Sequence, residues 1–118
     1  MTNHSFILEK LLYSKAEREE QLGIEGVIWG ASEVPWWKGN QLYCETDLLF
    51  FTGSTYQLPY FVIEYKRTNN ERQHGLVQLE RSSEYIKEFH DSDCYKLFVT
   101  GKYKQLEYEI IGKHPRKK

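Results

Sequence analysis

The sequence predicts a mixed α/β fold, a central mixed sheet flanked by helices in the order α-β-β-β-α-β-β. Three observations predict it. Two stretches repeat apolar residues at helical spacing. Five shorter stretches are rich in β-formers and are bounded by Gly, Pro, Asn or Ser. The third and fourth strands are joined through a helix, so they pair in parallel with a right-handed crossover.

The first helix is expected over Ser5 to Leu22. Ser5 can cap it, Leu8, Leu11, Leu12 and Leu22 mark its apolar stripe, and Gly23 ends it. Ile24 to Trp29 reads as the first strand. Gly30 to Gln41 holds Gly, Pro, Asn and a Trp pair, which reads as a loop or lid. Leu42 to Phe51 is the second strand, Thr52 to Pro59 a turn and Tyr60 to Lys66 the third strand. Thr68, Asn69 and Asn70 offer caps for a helix over Glu71 to Phe89, whose Leu76, Leu79, Ile86 and Phe89 keep helical spacing. Gly75 weakens its start. Tyr95 to Thr100 and Leu106 to Ile111 complete the strands.

The 118 residues make one domain, 1–118, with a core over about 5–100 and a basic tail over 113–118. Hydrophobic residues at 40% support one modest core. No apolar run approaches the roughly 18 residues of a membrane span, and no signal peptide is legible, so a cytoplasmic protein with no membrane partner is expected. Cys44 and Cys94 match no zinc spacing and read as reduced thiols. The net charge of −1 argues against a surface that grips nucleic acid all over. Residues 96 to 118 nevertheless hold seven basic residues against Glu107 and Glu109, a local balance of +5, leaving −6 for the rest.

The chemistry gathers on two strands. Side chains alternate faces, so Glu45 shares a face with Asp47, and Glu64 with Lys66. Thr52 and Pro59 close the intervening turn, and their numbers sum to 111. In the simplest hairpin register other positions summing to 111 also face each other: Asp47 faces Glu64, and Glu45 faces Lys66. Two carboxylates on an apolar, central strand pair repel and lose hydration. A divalent cation removes the repulsion, and hard oxygen ligands suit Mg2+ or Mn2+. The competing reading is a solvated hairpin with a cross-strand salt bridge. It leaves Asp47, a poor β-former, in mid-strand for no gain.

Glu45-Thr46-Asp47-Leu48-Leu49-Phe50, with Phe61-Val62-Ile63-Glu64-Tyr65-Lys66, resembles the PD-(D/E)xK nuclease superfamily. The resemblance spans about residues 5 to 100 and departs from the family pattern in having Thr46 where Pro is usual. It implies a restriction-endonuclease-like core and a metal-dependent nuclease with catalytic Asp47, Glu64 and Lys66, the metal held by Asp47, Glu64 and a first-helix glutamate, of which Glu9 is favoured. It makes Gln78 and Ser32 candidates for positioning phosphate or supporting the site, which Glu45 joins through its expected place opposite Lys66. Small junction-resolving members resemble this chain in length and work as dimers; its nine Tyr, six Phe and three Trp also suggest a homodimer. Nucleic acid, DNA ahead of RNA, is the expected partner, touched by Arg67, Lys102, Lys104, Trp36 and Trp37. Trp29 is a further stacking candidate, against the alternative that the Trp residues form a lid or dimer contact. His4, His74, His90 and His114 show no ligand spacing and read as surface residues. The alternative function is a non-catalytic nucleic-acid-binding or assembly module with the same fold.

Overall fold

The computed structural model describes residues 3–13, 27–52, 58–91, 93–102 and 104–112, with the side chains of 4–11, 30–51, 61–91, 93–102 and 104–112. Its elements are α1 (Asn3–Tyr13), β1 (Val27–Lys38), β2 (Gln41–Thr52), β3 (Leu58–Lys66), a 3-10 turn (Asn69–Glu71), α2 (Arg72–His90), β4 (Tyr95–Lys102) and β5 (Gln105–Ile111). The five strands form one mixed sheet in sequential order. Only β3 and β4 run parallel, as the helix between them requires.

Apolar side chains on both faces of the central strands need a cover on each side. Leu48, Phe50, Phe61, Ile63, Tyr65, Leu97 and Val99 form one buried cluster with Ile7, Leu8 and Leu11 of α1. Leu49, Val62 and Phe98 form the other with Leu79 and Ile86 of α2. Burying each such large side chain is worth about 1.5–3 kcal/mol, so these clusters, rather than surface ion pairs, hold the helices down. The free cysteines divide between a buried Cys44 and a partly buried Cys94, whose thiol burial pushes up to about 12. No helix among the described residues is long and apolar enough to cross a membrane.

Several expectations need correction. Gly30 to Lys38 is not a loop but most of β1, and β1 and β2 are joined by Gly39 and Asn40 alone. Gly39 has φ +61°, a conformation glycine adopts without strain. The Gly-Asn pair was the legible hairpin signal. Pro35 is tolerated because β1 lies at the sheet edge. Ser5 lies inside α1 rather than capping it, and the expected residues 14 to 22 of that helix fall outside the described ones. Neither the 3-10 turn nor α2 has a side-chain cap. Gly75 is a packing requirement, since a Cβ there would lie 2.4 Å from the Phe98 ring.

The register follows the sum of 111 at Leu48–Ile63, Leu49–Val62 and Phe50–Phe61. An irregularity beyond Phe50 shifts it, so that Phe51 pairs with Pro59 and Thr52 with Leu58.

Candidate active site

The β2–β3 ladder stops at Leu48–Ile63, one pair before Asp47 and Glu64. β3 continues beside β4 through Lys66, while β2 stays paired with β1. From Thr46 back to Gln41 the β1–β2 ribbon lies along α2 instead, where Thr46 meets Ser82 and Tyr85 donates to the Trp37 carbonyl at 2.6 Å. The two strands therefore splay at Asp47. A splay orphans backbone groups that a ladder would pair. One of them, the Tyr65 N–H, donates to Asp47 Oδ2 at 2.9 Å.

Four ionisable side chains meet there. Asp47 and Glu64 are 7% and 4% exposed. A hydrogen bond between their carboxyl groups acts on Glu64. Lys66 Nζ lies 3.8 Å from Glu64 Oε2, and its stem passes the Gly75 position of α2. His4 comes from α1 on the other side of the sheet, its Nε2 at 3.2 Å from Asp47 Oδ2 and its ring 5.6 Å from that of Tyr65. The Tyr65 hydroxyl donates in turn to the Gly101 carbonyl.

Burial pushes the Glu64 carboxyl up to about 8, and the negative charge of Asp47 adds to it. The Lys66 ammonium and the Asp47 backbone amide oppose the rise without cancelling it. His4 is raised above 6.5, mainly by its hydrogen bond to Asp47, against the lowering effect of burial. Two buried carboxyls thus lie within hydrogen-bonding reach of each other, with the Lys66 ammonium beside Glu64 and the His4 imidazole beside Asp47. Donor chemistry of this kind fits a hard divalent cation. Among the described residues, no group of three or more His, Cys, Asp and Glu side chains stands ready to hold one. Mg2+ does not need such a group, since it keeps several waters and takes one or two carboxylates.

The remaining candidates divide. Glu9 is exposed and is not brought to the site. Ile7, Leu8 and Leu11 turn inward, and Glu9 lies roughly 150° around the helix from them. His4 shares their stripe and reaches Asp47 in its place; its i, i+3, i+4 spacing to Ile7 and Leu8 was the signal sequence reading missed. Glu45 does not face Lys66, because the ladder has ended; it pairs with Pro35 and is exposed. Ser32 is a strand residue opposite Leu48, exposed at the sheet edge, and not part of a loop over the site. Gln78 is half-buried on the α2 stripe between Gly75, beside Lys66, and Ser82, beside Thr46.

Arg67 and Lys102 are exposed at the sheet end where Lys66 sits, with Lys104 in the adjoining β4–β5 hairpin. The Gly101 amide ties the two segments together by donating to the Arg67 carbonyl. Trp36 is not a free stacking platform: its indole N–H donates to Thr46 Oγ1 at 2.7 Å and its ring packs on Tyr85. Trp37 is 51% exposed. The side chain of Trp29, His114 and the tail 113–118 lie outside the described residues. His90 is exposed but packs near Trp36 and Tyr85. Away from the carboxyls, a cleft of about 310 Å³ opens beside the ribbon tip, lined by Lys38, Gln41, Leu42, Tyr43 and Arg81.

Comparisons with family models, curated proteins and solved structures return no match for this chain. The functional reading therefore rests on the site itself.

Proposed function

We propose that the chain is a metal-dependent nuclease of restriction-endonuclease-like fold that hydrolyses phosphodiester bonds, in DNA ahead of RNA. One observation carries the reading: two buried carboxyls and an ammonium converge where a central strand pair splays. Asp47 answers the Tyr65 amide, but burial and the Asp47 charge penalise an ionised Glu64 beside it, a penalty that a bound cation would relieve. Asp47 and Glu64 would hold Mg2+ or Mn2+, which supplies a polarised phosphoryl oxygen and a water of lowered pKa. Asp47 is fixed by the Tyr65 amide and supported by His4. Lys66 stands beside Glu64 and would stabilise negative charge developing on the phosphate. Arg67, Lys102 and Lys104 border this end of the sheet and suit the flanking phosphates.

The second reading, a non-catalytic nucleic-acid-binding module, is favoured by the lack of a three-ligand group among the described residues. It leaves the placement of Lys66 beside Glu64 without a purpose. Incubation with circular, linear and branched DNA, in Mg2+ or in EDTA, separates the two. Cleavage is expected with Mg2+ alone and is expected to fall at least ~100-fold in Asp47→Ala and in Lys66→Ala. Lys66→Ala should keep Mn2+ binding in calorimetry, and Asp47→Ala should lose it. DNA bound but left intact by the wild type in Mg2+ would hand the case to the binding module.

A further inference from the structure

Side-chain alternation fails between Thr46 and Leu48 of β2. Thr46 meets Ser82 on the α2 side, whereas Leu48 is buried in the α1 cluster. In a regular strand, residues two apart share a face. Asp47 lies between them, at the break. Opposite it in the register is Glu33, between the Ser32–Leu48 and Val34–Thr46 pairs, and Glu33 has φ +53°. Both strands of the ribbon therefore change face at the same level. The Asp47 carboxyl is left beside β3, where it receives the Tyr65 amide.

A short chain of hydrogen bonds holds Thr46 in this setting. The Trp36 indole donates to Thr46 Oγ1 at 2.7 Å, and Thr46 Oγ1 donates to Ser82 Oγ at 2.7 Å. Thr46 and Ser82 are each 1% exposed. A hydroxyl buried this deeply costs free energy unless it is paired, and Thr46 is paired both as donor and as acceptor. Its two partners come from α2 and from β1, so the bond chain fixes β2 against both.

We propose that the Trp36–Thr46–Ser82 chain aims the Asp47 carboxyl, with Thr46 as a positioning residue for the site. Thr46 is held toward α2, Leu48 is held toward α1 by its packing, and the residue between them has one direction left. The consequence for cation binding rests on the nuclease reading, but the aiming itself does not. Residue Thr46 thus does by hydrogen bonding what a conformationally restricted residue before the aspartate could do by its ring.

The test reads the Tyr65 amide, which reports Asp47 without any metal. Two-dimensional amide spectra and hydrogen exchange are recorded in EDTA for wild type, Thr46→Val and Thr46→Ser. In Thr46→Val the Tyr65 proton is expected to shift upfield and to exchange at least ~10-fold faster, as a hydrogen bond to a charged acceptor is lost. The amides of Val62 and Ile63 are expected to hold, which separates re-aiming from general loosening. Thr46→Ser keeps the hydroxyl and is expected to restore the Tyr65 signal. A folded Thr46→Val with an unmoved Tyr65 amide overturns the proposal. If Thr46→Val does not fold, Ser82→Ala removes the other end of the chain, and the same unmoved amide overturns it there. Calorimetry with Mn2+ adds the second arm, with an expected ~10- to 100-fold weaker Kd in Thr46→Val. A wild type that binds no Mn2+, with a Tyr65 amide that moves, removes the metal reading and leaves the aiming in place. Intact Mn2+ binding with an unmoved amide does the reverse.

Discussion

The two halves of β2 are built on different terms. From Leu48 to Thr52 the strand has a neighbour on each side, and Leu48, Leu49 and Phe50 fill the two faces in turn. From Gln41 to Thr46 it has only β1, and it is held on α2 by side-chain hydrogen bonds and aromatic contacts. Tyr85 is the hub of those contacts, with ring centroids at 5.0 Å from Trp36, 6.1 Å from Tyr43 and 4.5 Å from Phe89. The first half is fixed by burial, which is non-directional. The second is fixed by directional bonds. Asp47 stands at the boundary, where a ladder ends and its unpaired donor needs an acceptor. Polar chemistry collects there because the backbone already requires a polar partner.

The sharpest way to break this comparison is to delete the same side chain from each half. Leu48 is fully buried and Leu42 is 46% exposed. Leu48→Ala is expected to cost about 2–5 kcal/mol by cavity formation. Leu42→Ala is expected to cost within about 0.5 kcal/mol. Denaturant unfolding measures both, and equal costs would show that the ribbon is as core-like as the central sheet.

The next effect belongs to the boundary and depends on pH. Glu64 titrates near 8 in the folded chain against an ordinary 4.5. Below pH 4.5 both folded and unfolded chains hold this proton. Between 4.5 and 8 the unfolded chain has released it and the folded chain has not, so stability falls as pH rises across that window and levels off above it. His4, raised above 6.5, acts in the same direction and loses its contribution as pH rises through its folded value. In EDTA, Glu64→Gln is expected to flatten the slope and to be more stable than wild type at pH 8, by on the order of 1–3 kcal/mol. Thermal unfolding from pH 5 to 8.5 checks this. A wild-type slope that survives unchanged in Glu64→Gln would move the titration to another group.

The smallest effect tests the ribbon alone. Tyr85→Phe removes the donor to the Trp37 carbonyl and leaves the aromatic packing. A cost of about 0.5–1.5 kcal/mol is expected. Hydrogen exchange should quicken between Trp36 and Tyr43 and stay unchanged from Leu48 to Phe51. Exchange that quickens equally in both halves would show that they open as one unit.

How much was legible follows the same boundary. The last four strands and the long helix could be read because period-two and helical apolar patterns are local properties of the chain, whereas β1 overlaps its expected span only at Val27–Trp29. The sum-of-111 register held for the three pairs from Phe50 to Leu48, since one slipped residue there would turn the apolar set of a two-sided core inside out. Its failure at Phe51 and Thr52 comes from an irregularity that strand periodicity does not encode. Gly30 to Lys38 forms a strand despite its Gly and Pro because β1 lies at the sheet edge and Gly39-Asn40 alone makes the turn. Glu45 misses Lys66 because the β2–β3 ladder ends at Leu48–Ile63.

The sequence by itself determined which residues could carry chemistry and which strands hold them. Glu64 and Lys66 share a face because they are two apart on a strand that stays regular beside β4. Where β2 leaves β3, how Thr46 and Leu48 turn to opposite faces, and why His4 rather than Glu9 reaches Asp47 were settled by tertiary packing. Local patterns set spacing along an element. Where two elements part, and which side chain fills the gap, depends on how helices and ribbon pack together, and that packing joins residues as distant as His4 and Asp47 or Thr46 and Ser82.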